Sequence, residues 1–153
     1  MPGEFYIEDN KLKSDITEIK NSVSQVTNNV TTLINRSGEM TSSNGWVEGD
    51  WGDDEQEVVI IGAHDFKCKV QSLLLSIRNL VGTSIMVRMY LVVNGEEDKV
   101  YEQSFDPSSD PPGLWIINGT VGIHEVLRVT LQSNNEDDNG EAVGYDYLVE
   151  AVE

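Results

Sequence analysis

Leu12, Ile16, Ile19, Val23, Val26, Val30 and Leu33 follow one another at spacings of 4, 3, 4, 3, 4 and 3 residues. Such an unbroken heptad seam puts one apolar residue per half-heptad on a single helical face. Ser, Thr and Asn fill much of the remaining surface, so a lone helix here would be narrow-striped and weak. The stripe calls for identical neighbours to bury it. The alternative, a helix packed on its own domain, normally shows a wider stripe, and here only Ile34 lies outside the seam.

The register gives the expected oligomer. Ile16, Val23 and Val30 take the a positions; Leu12, Ile19, Val26 and Leu33 take the d positions. Dimers favour β-branched a with Leu at d, whereas β-branched residues at both shift the preference to higher order. The two central d residues are β-branched, which predicts a parallel trimer. Asp15 at g and Lys20 at the following e stand where parallel helices pair their charges. The seam spans only about 33 Å, too short to stabilise the assembly alone. The helix is expected to stop near Gly38, a natural C-terminal cap.

The 153 residues have room for one modest domain beside this stalk. No segment has the length of a membrane-spanning apolar run, and the first residues lack the basic-then-apolar form of a signal peptide. The expectation is a protein made in the cytoplasm, without membrane association. Net charge is −17, from 27 acidic against 10 basic residues. That surface repels nucleic acid and suits cations or basic partners; a halophilic source would give the same balance. The single cysteine, Cys68, excludes an intrachain disulfide framework and reads as a small buried hydrophobe.

Residues 1–10 precede the seam and carry Phe5, Tyr6 and Ile7, which read either as an anchoring peptide or as an extension of the coil. The stalk is assigned to 11–37. Residues 38–57 are rich in Gly, Ser, Asn, Asp and Glu and read as a linker. Within it Trp46 and Trp51 are expected to pack onto a neighbouring surface, with an exposed platform for sugar as the alternative.

From 58 to 153 the pattern turns to strands. Residues 85–93 end on Asn94-Gly95, a hairpin signal, and 99–105 reads as the return strand. Residues 114–117 and 120–123 flank Asn118-Gly119, suggesting another tight hairpin. Residues 127–132 alternate, and 142–152 forms a last strand fit for a sheet centre. About eight short strands with no helix among them predict an antiparallel, jelly-roll-like β-sandwich.

Asn135, Asp137 and Asn139 with Gly140, followed by Asp146, partly match the oxygen-ligand spacing of a calcium loop. Asn135 stands where the first Asp belongs and Asp146 where a bidentate Glu belongs. These departures favour a polar hairpin loop, with a weak calcium site as the sharper alternative. His64 and His124 each neighbour an acid and read as strand-end residues. No nucleophile elbow, phosphate loop, dinucleotide fingerprint or zinc helix is present, so the chain is expected not to be an enzyme.

A short N-terminal peptide, a β-branched coil, a linker and a small sandwich together resemble accessory virion proteins of bacteriophages and archaeal viruses. These include head fibres, capsid decoration proteins and short tail-fibre tips. The sandwich is similar in outline to tumour-necrosis-factor-like and viral jelly-roll heads, which also trimerise. The resemblance implies a homotrimer on the capsid surface, attached through residues 1–10 to another virion protein and displaying the head outward. No functional residue carries over, since no motif is shared position by position. A second expectation is a receptor-binding tip for host-surface glycan, with Tyr90, Tyr101, Trp115, Tyr145, Tyr147 and the 134–141 loop as contacts.

Overall fold

The computed structural model describes residues 11–27 and 38–152. The chain divides into two compact units, Met1–Glu39 and Met40–Glu153. In the first, residues 11–27 are α-helical throughout. Thr17 and Thr27 return their hydroxyls to the carbonyls of Lys13 and Val23, both at 2.9 Å, so these weak helix formers leave no hydroxyl competing for the backbone elsewhere. The expected anchor Phe5, Tyr6 and Ile7, and the seam positions Val30 and Leu33, lie outside the described residues.

The second unit is built from β1 (Met40–Asp50), β2 (Gln56–Ile61), β3 (Cys68–Ser76), β4 (Ile85–Val93), β5 (Glu96–Phe105), β6 (Gly113–Ile123), β7 (Leu127–Ser133) and β8 (Asn139–Ala151). They form two antiparallel four-stranded sheets, β1-β8-β3-β6 and β2-β7-β4-β5. The pairs β1–β8, β2–β7, β3–β6 and β4–β5 are nested, as when one long hairpin is wrapped into a sandwich; this is the strand order of a jelly roll. The final strand β8 sits between β1 and β3, with both its edges paired.

Alternation explains the core. Val70, Leu73 and Leu75 of β3 meet Ile85 and Val87 of β4, Val129 and Leu131 of β7 and Val143 of β8, all essentially solvent-free. Each such side chain contributes about 1.5–3 kcal/mol on burial. Trp51, fully buried in the β1–β2 turn, donates its indole N–H to the Glu141 carbonyl at 2.6 Å.

Two sequence expectations fail here. Residues 38–57 are not a linker: they contain β1, the turn and the start of β2, so the head begins at Met40 rather than at 58. The reason is local. β1 is an edge strand whose inner face carries Ser43, Gly45, Val47 and Gly49, so its alternation holds almost no hydrophobic contrast. Asn118-Gly119 is not a hairpin either. Val70 pairs with Val121 and Ser72 with Asn118, so Gln71 faces both Gly119 and Thr120. Gly119 and Thr120 make a β-bulge inside one continuous β6.

Candidate functional site

The described seam residues are solvent-exposed on the single chain: Leu12, Ile16, Ile19, Val23 and Val26 range from 43% to 61%. Five large apolar side chains on one stripe of one helix form an unburied strip, the arrangement a coiled coil needs and a lone helix does not tolerate well.

The residues read as a calcium loop do not converge. Asn135 caps the single turn Glu136–Asp138 by accepting the Asp137 amide at 3.0 Å. The Asn139 carboxamide oxygen accepts the Gly52 N–H at 2.7 Å. Asp137 is exposed, and Asp146 stands seven residues along extended β8 from Asn139, about 23 Å away. The polar side chains here bind backbone, and the buried member, Asp138, was not singled out from the sequence. Among the described residues no group of three or more His, Cys, Asp or Glu is placed to hold a metal ion. The fit for calcium is poor.

The two outer sheet faces differ in chemistry. On the β2-β7-β4-β5 sheet, Arg88 reaches Glu55 at 3.2 Å and Glu102 at 2.7 Å, and Lys99 also meets Glu102 at 2.7 Å. Arg128 clasps Glu97 with two bonds of 2.8 and 2.7 Å and lies 4.3 Å over the Tyr90 ring. Tyr90 donates to Glu55 at 2.6 Å, and Thr130 donates to the same oxygen. Partial burial raises the Glu55 pKa, but the two hydroxyls and the nearby guanidinium groups outweigh it and hold the carboxyl below its ordinary value. The Arg128 fork likewise lowers Glu97. The cations of this face, Arg88, Lys99 and Arg128, are all paired within it.

The β1-β8-β3-β6 sheet is different. Paired residues share a face, so two registers define its outer surface. One row runs Asn44, Asp146, Leu74, Trp115; the next runs Trp46, Gly144, Ser76, Gly113. Trp46 and Trp115 are 56% and 57% exposed. Trp46 lies over Gly144, where a Cβ would come within 3.1 Å of the ring, so the glycine allows the indole to lie close to the sheet. Arg78 rests 5.7 Å from the same ring. No hydrogen bond or ion pair engages the Asn44 or Asp146 side chain among the described residues.

Of the five expected glycan contacts only Trp115 is on this face. Tyr145 and Tyr147 stack at 6.2 Å and pack toward the core, while Tyr90 and Tyr101 belong to the other sheet. Of the two early tryptophans, Trp51 packs and Trp46 is the exposed one, which one shared expectation for both did not separate. His64 lies 3.6 Å from Glu125, the neighbour of His124, so the loops after β2 and β6 meet, an exposed imidazole against a half-buried carboxylate. An open apolar groove of about 320 Å³, lined by Ile61, Phe66, Cys68, Tyr147 and Val149, opens between the sheets where β1 begins. Among the described residues no helix is long and apolar enough to cross a membrane. No protein-family model matches the chain, and no curated protein matches it.

Proposed function

We propose that this chain is a non-enzymatic, homotrimeric structural protein of a virion, a capsid decoration or head fibre. In this reading the heptad helix sets threefold register, residues 1–10 attach to another capsid component, and the sandwich is the displayed head. One observation carries the self-assembly: five seam residues stand exposed on a helix whose heptad spacing suits burial against copies of itself. The virion setting rests on the architectural resemblance, stalk followed by sandwich. The acidic surface fits it, keeping closely arrayed copies soluble.

Light scattering tests the assembly: a trimer weighs about 51 kDa, three times the 17.0 kDa chain. A monomer at micromolar concentration overturns the reading. Removing residues 1–10 should leave the oligomer at three chains yet abolish binding to purified particles. Immunogold electron microscopy of those particles should then place the protein on the capsid surface.

A further inference from the structure

We propose that the outer face of the β1-β8-β3-β6 sheet binds a neutral oligosaccharide, stacked on Trp46 and Trp115. Three strand steps separate the tryptophans, about 14 Å across the sheet. Between them lie an apolar floor, Leu74, and the Asp146 carboxylate, and beside Trp46 on β1 stands the Asn44 carboxamide; neither polar side chain has its hydrogen-bonding capacity used. A sugar chain has matching parts. Its C–H faces are apolar and lie on the electron-rich face of an indole, and its hydroxyl rim donates to a carboxylate and exchanges bonds with an amide.

Charge narrows the occupant. An anionic polymer meets a chain of net charge −17. A protein occupant, including a second copy, would bury Asp146 and must supply it with a cation or a full set of N–H and O–H donors, as Asp138 receives. This chain has few cations to offer: in the head Lys69, Arg88, Lys99 and Arg128 already pair with its own carboxylates and Arg78 lies on Trp46, which leaves Lys67 as the uncommitted cation among the described residues of the head. Hydroxyls satisfy Asp146 without any cation. On the opposite sheet Tyr90 is held closer, 4.3 Å beneath Arg128 against 5.7 Å between Arg78 and Trp46, and its hydroxyl is already bonded to Glu55, whereas Trp46 stays 56% exposed.

The test is titration of the full chain with neutral hexasaccharides of glucose, xylose, mannose and galactose, read by tryptophan fluorescence and calorimetry. A heparin hexasaccharide serves as the anionic comparator. At least one neutral sugar should bind and perturb the emission. Trp46→Ala and Trp115→Ala should each weaken binding about tenfold or more. Asp146→Asn, which leaves both indoles in place, should weaken it less. Ile60→Ala, an exposed apolar residue on the other sheet, should leave it unchanged. Near-ultraviolet circular dichroism checks that the variants are folded. The inference is overturned if no neutral sugar binds, if heparin binds more tightly, or if both tryptophan variants bind like the parent. It is also overturned if they lower the oligomer mass instead, which would make the face a contact between heads. Sugar binding by a monomeric chain would support it even where the trimer fails.

Discussion

The buried carboxylate of Asp138 accepts the Gly82 amide N–H at 3.1 Å, joining the turn before β8 to the loop between β3 and β4. The Val81 N–H at 2.7 Å and the Ser133 hydroxyl complete its shell. Asp138→Ala would leave three donors facing a small void, each of which loses a bond to a charged acceptor. We expect unfolding free energy to fall by about 3 kcal/mol or more, read by urea denaturation. Gly82→Ala tests the same contact from the other side. Its Cβ would stand 2.9 Å from both Asp138 Oδ2 and Asn134 Oδ1, so it too should destabilise the fold.

That contact shows where sequence reading runs out. The Asn135–Gly140 segment was visible as a run of oxygen-bearing residues around a turn, and its calcium alternative was built on local spacing. The partners it serves, Gly52, Val81 and Gly82, come from 56 to 87 residues away. No local pattern holds that information. Strands with strong contrast between faces, such as β4 and β7, were legible for the opposite reason. β1 was hidden because small residues line its inner face, and with it the position of Trp46 was hidden. Trp115 is named from the sequence as one of five aromatic contacts for glycan, with nothing local to separate it from the four tyrosines. That Gly144 and Asp146 lie across from β1 depends on the nested β1–β8 pairing, a property of topology alone.

The ion network on the second sheet predicts a pH dependence with a definite sign. Glu97 is held below its ordinary value by the Arg128 fork, so its contribution is present above the unfolded pKa near 4.5 and is lost as pH falls through the lowered folded value. The parent should therefore melt above Glu97→Gln at pH 7, and the gap should close below about pH 4. Comparing the two proteins cancels the general relief of acidic self-repulsion on protonation. Tyr90 carries the opposite sign. Burial, then its bond to Glu55, raises its pKa above 10, so any advantage over Tyr90→Phe is present below pH 10 and is lost as pH rises through the folded value. Thermal scans by circular dichroism across pH 3–11 read both.

Cys68 should be chemically silent in the folded head. It is buried at the start of β3, and burial pushes its thiol above the ordinary cysteine value, so little thiolate forms and what forms is shielded. Titration with Ellman's reagent at pH 8 should show reaction only at the rate of unfolding, and at once in denaturant. Prompt reaction in the native state would place the thiol at the mouth of the apolar groove it helps to line.

The seam makes the most discriminating prediction, because oligomer order depends on side-chain branching at d. In the proposed coil Ile16 and Val23 stand at a, and β-branched Ile19 and Val26 at d are the pattern that disfavours two strands. The double change Ile19→Leu with Val26→Leu keeps the stripe apolar but restores the dimer pattern. Scattering mass should shift from about 51 kDa toward about 34 kDa if the coil determines the order. A mass unchanged at three chains would place the determinant in the head, leaving the coil only to align it. Ile19→Asp separates these cases further. It puts a carboxylate into the stripe on every helix at once, so a coil-driven trimer should dissociate to 17.0 kDa chains while the head keeps its melting transition.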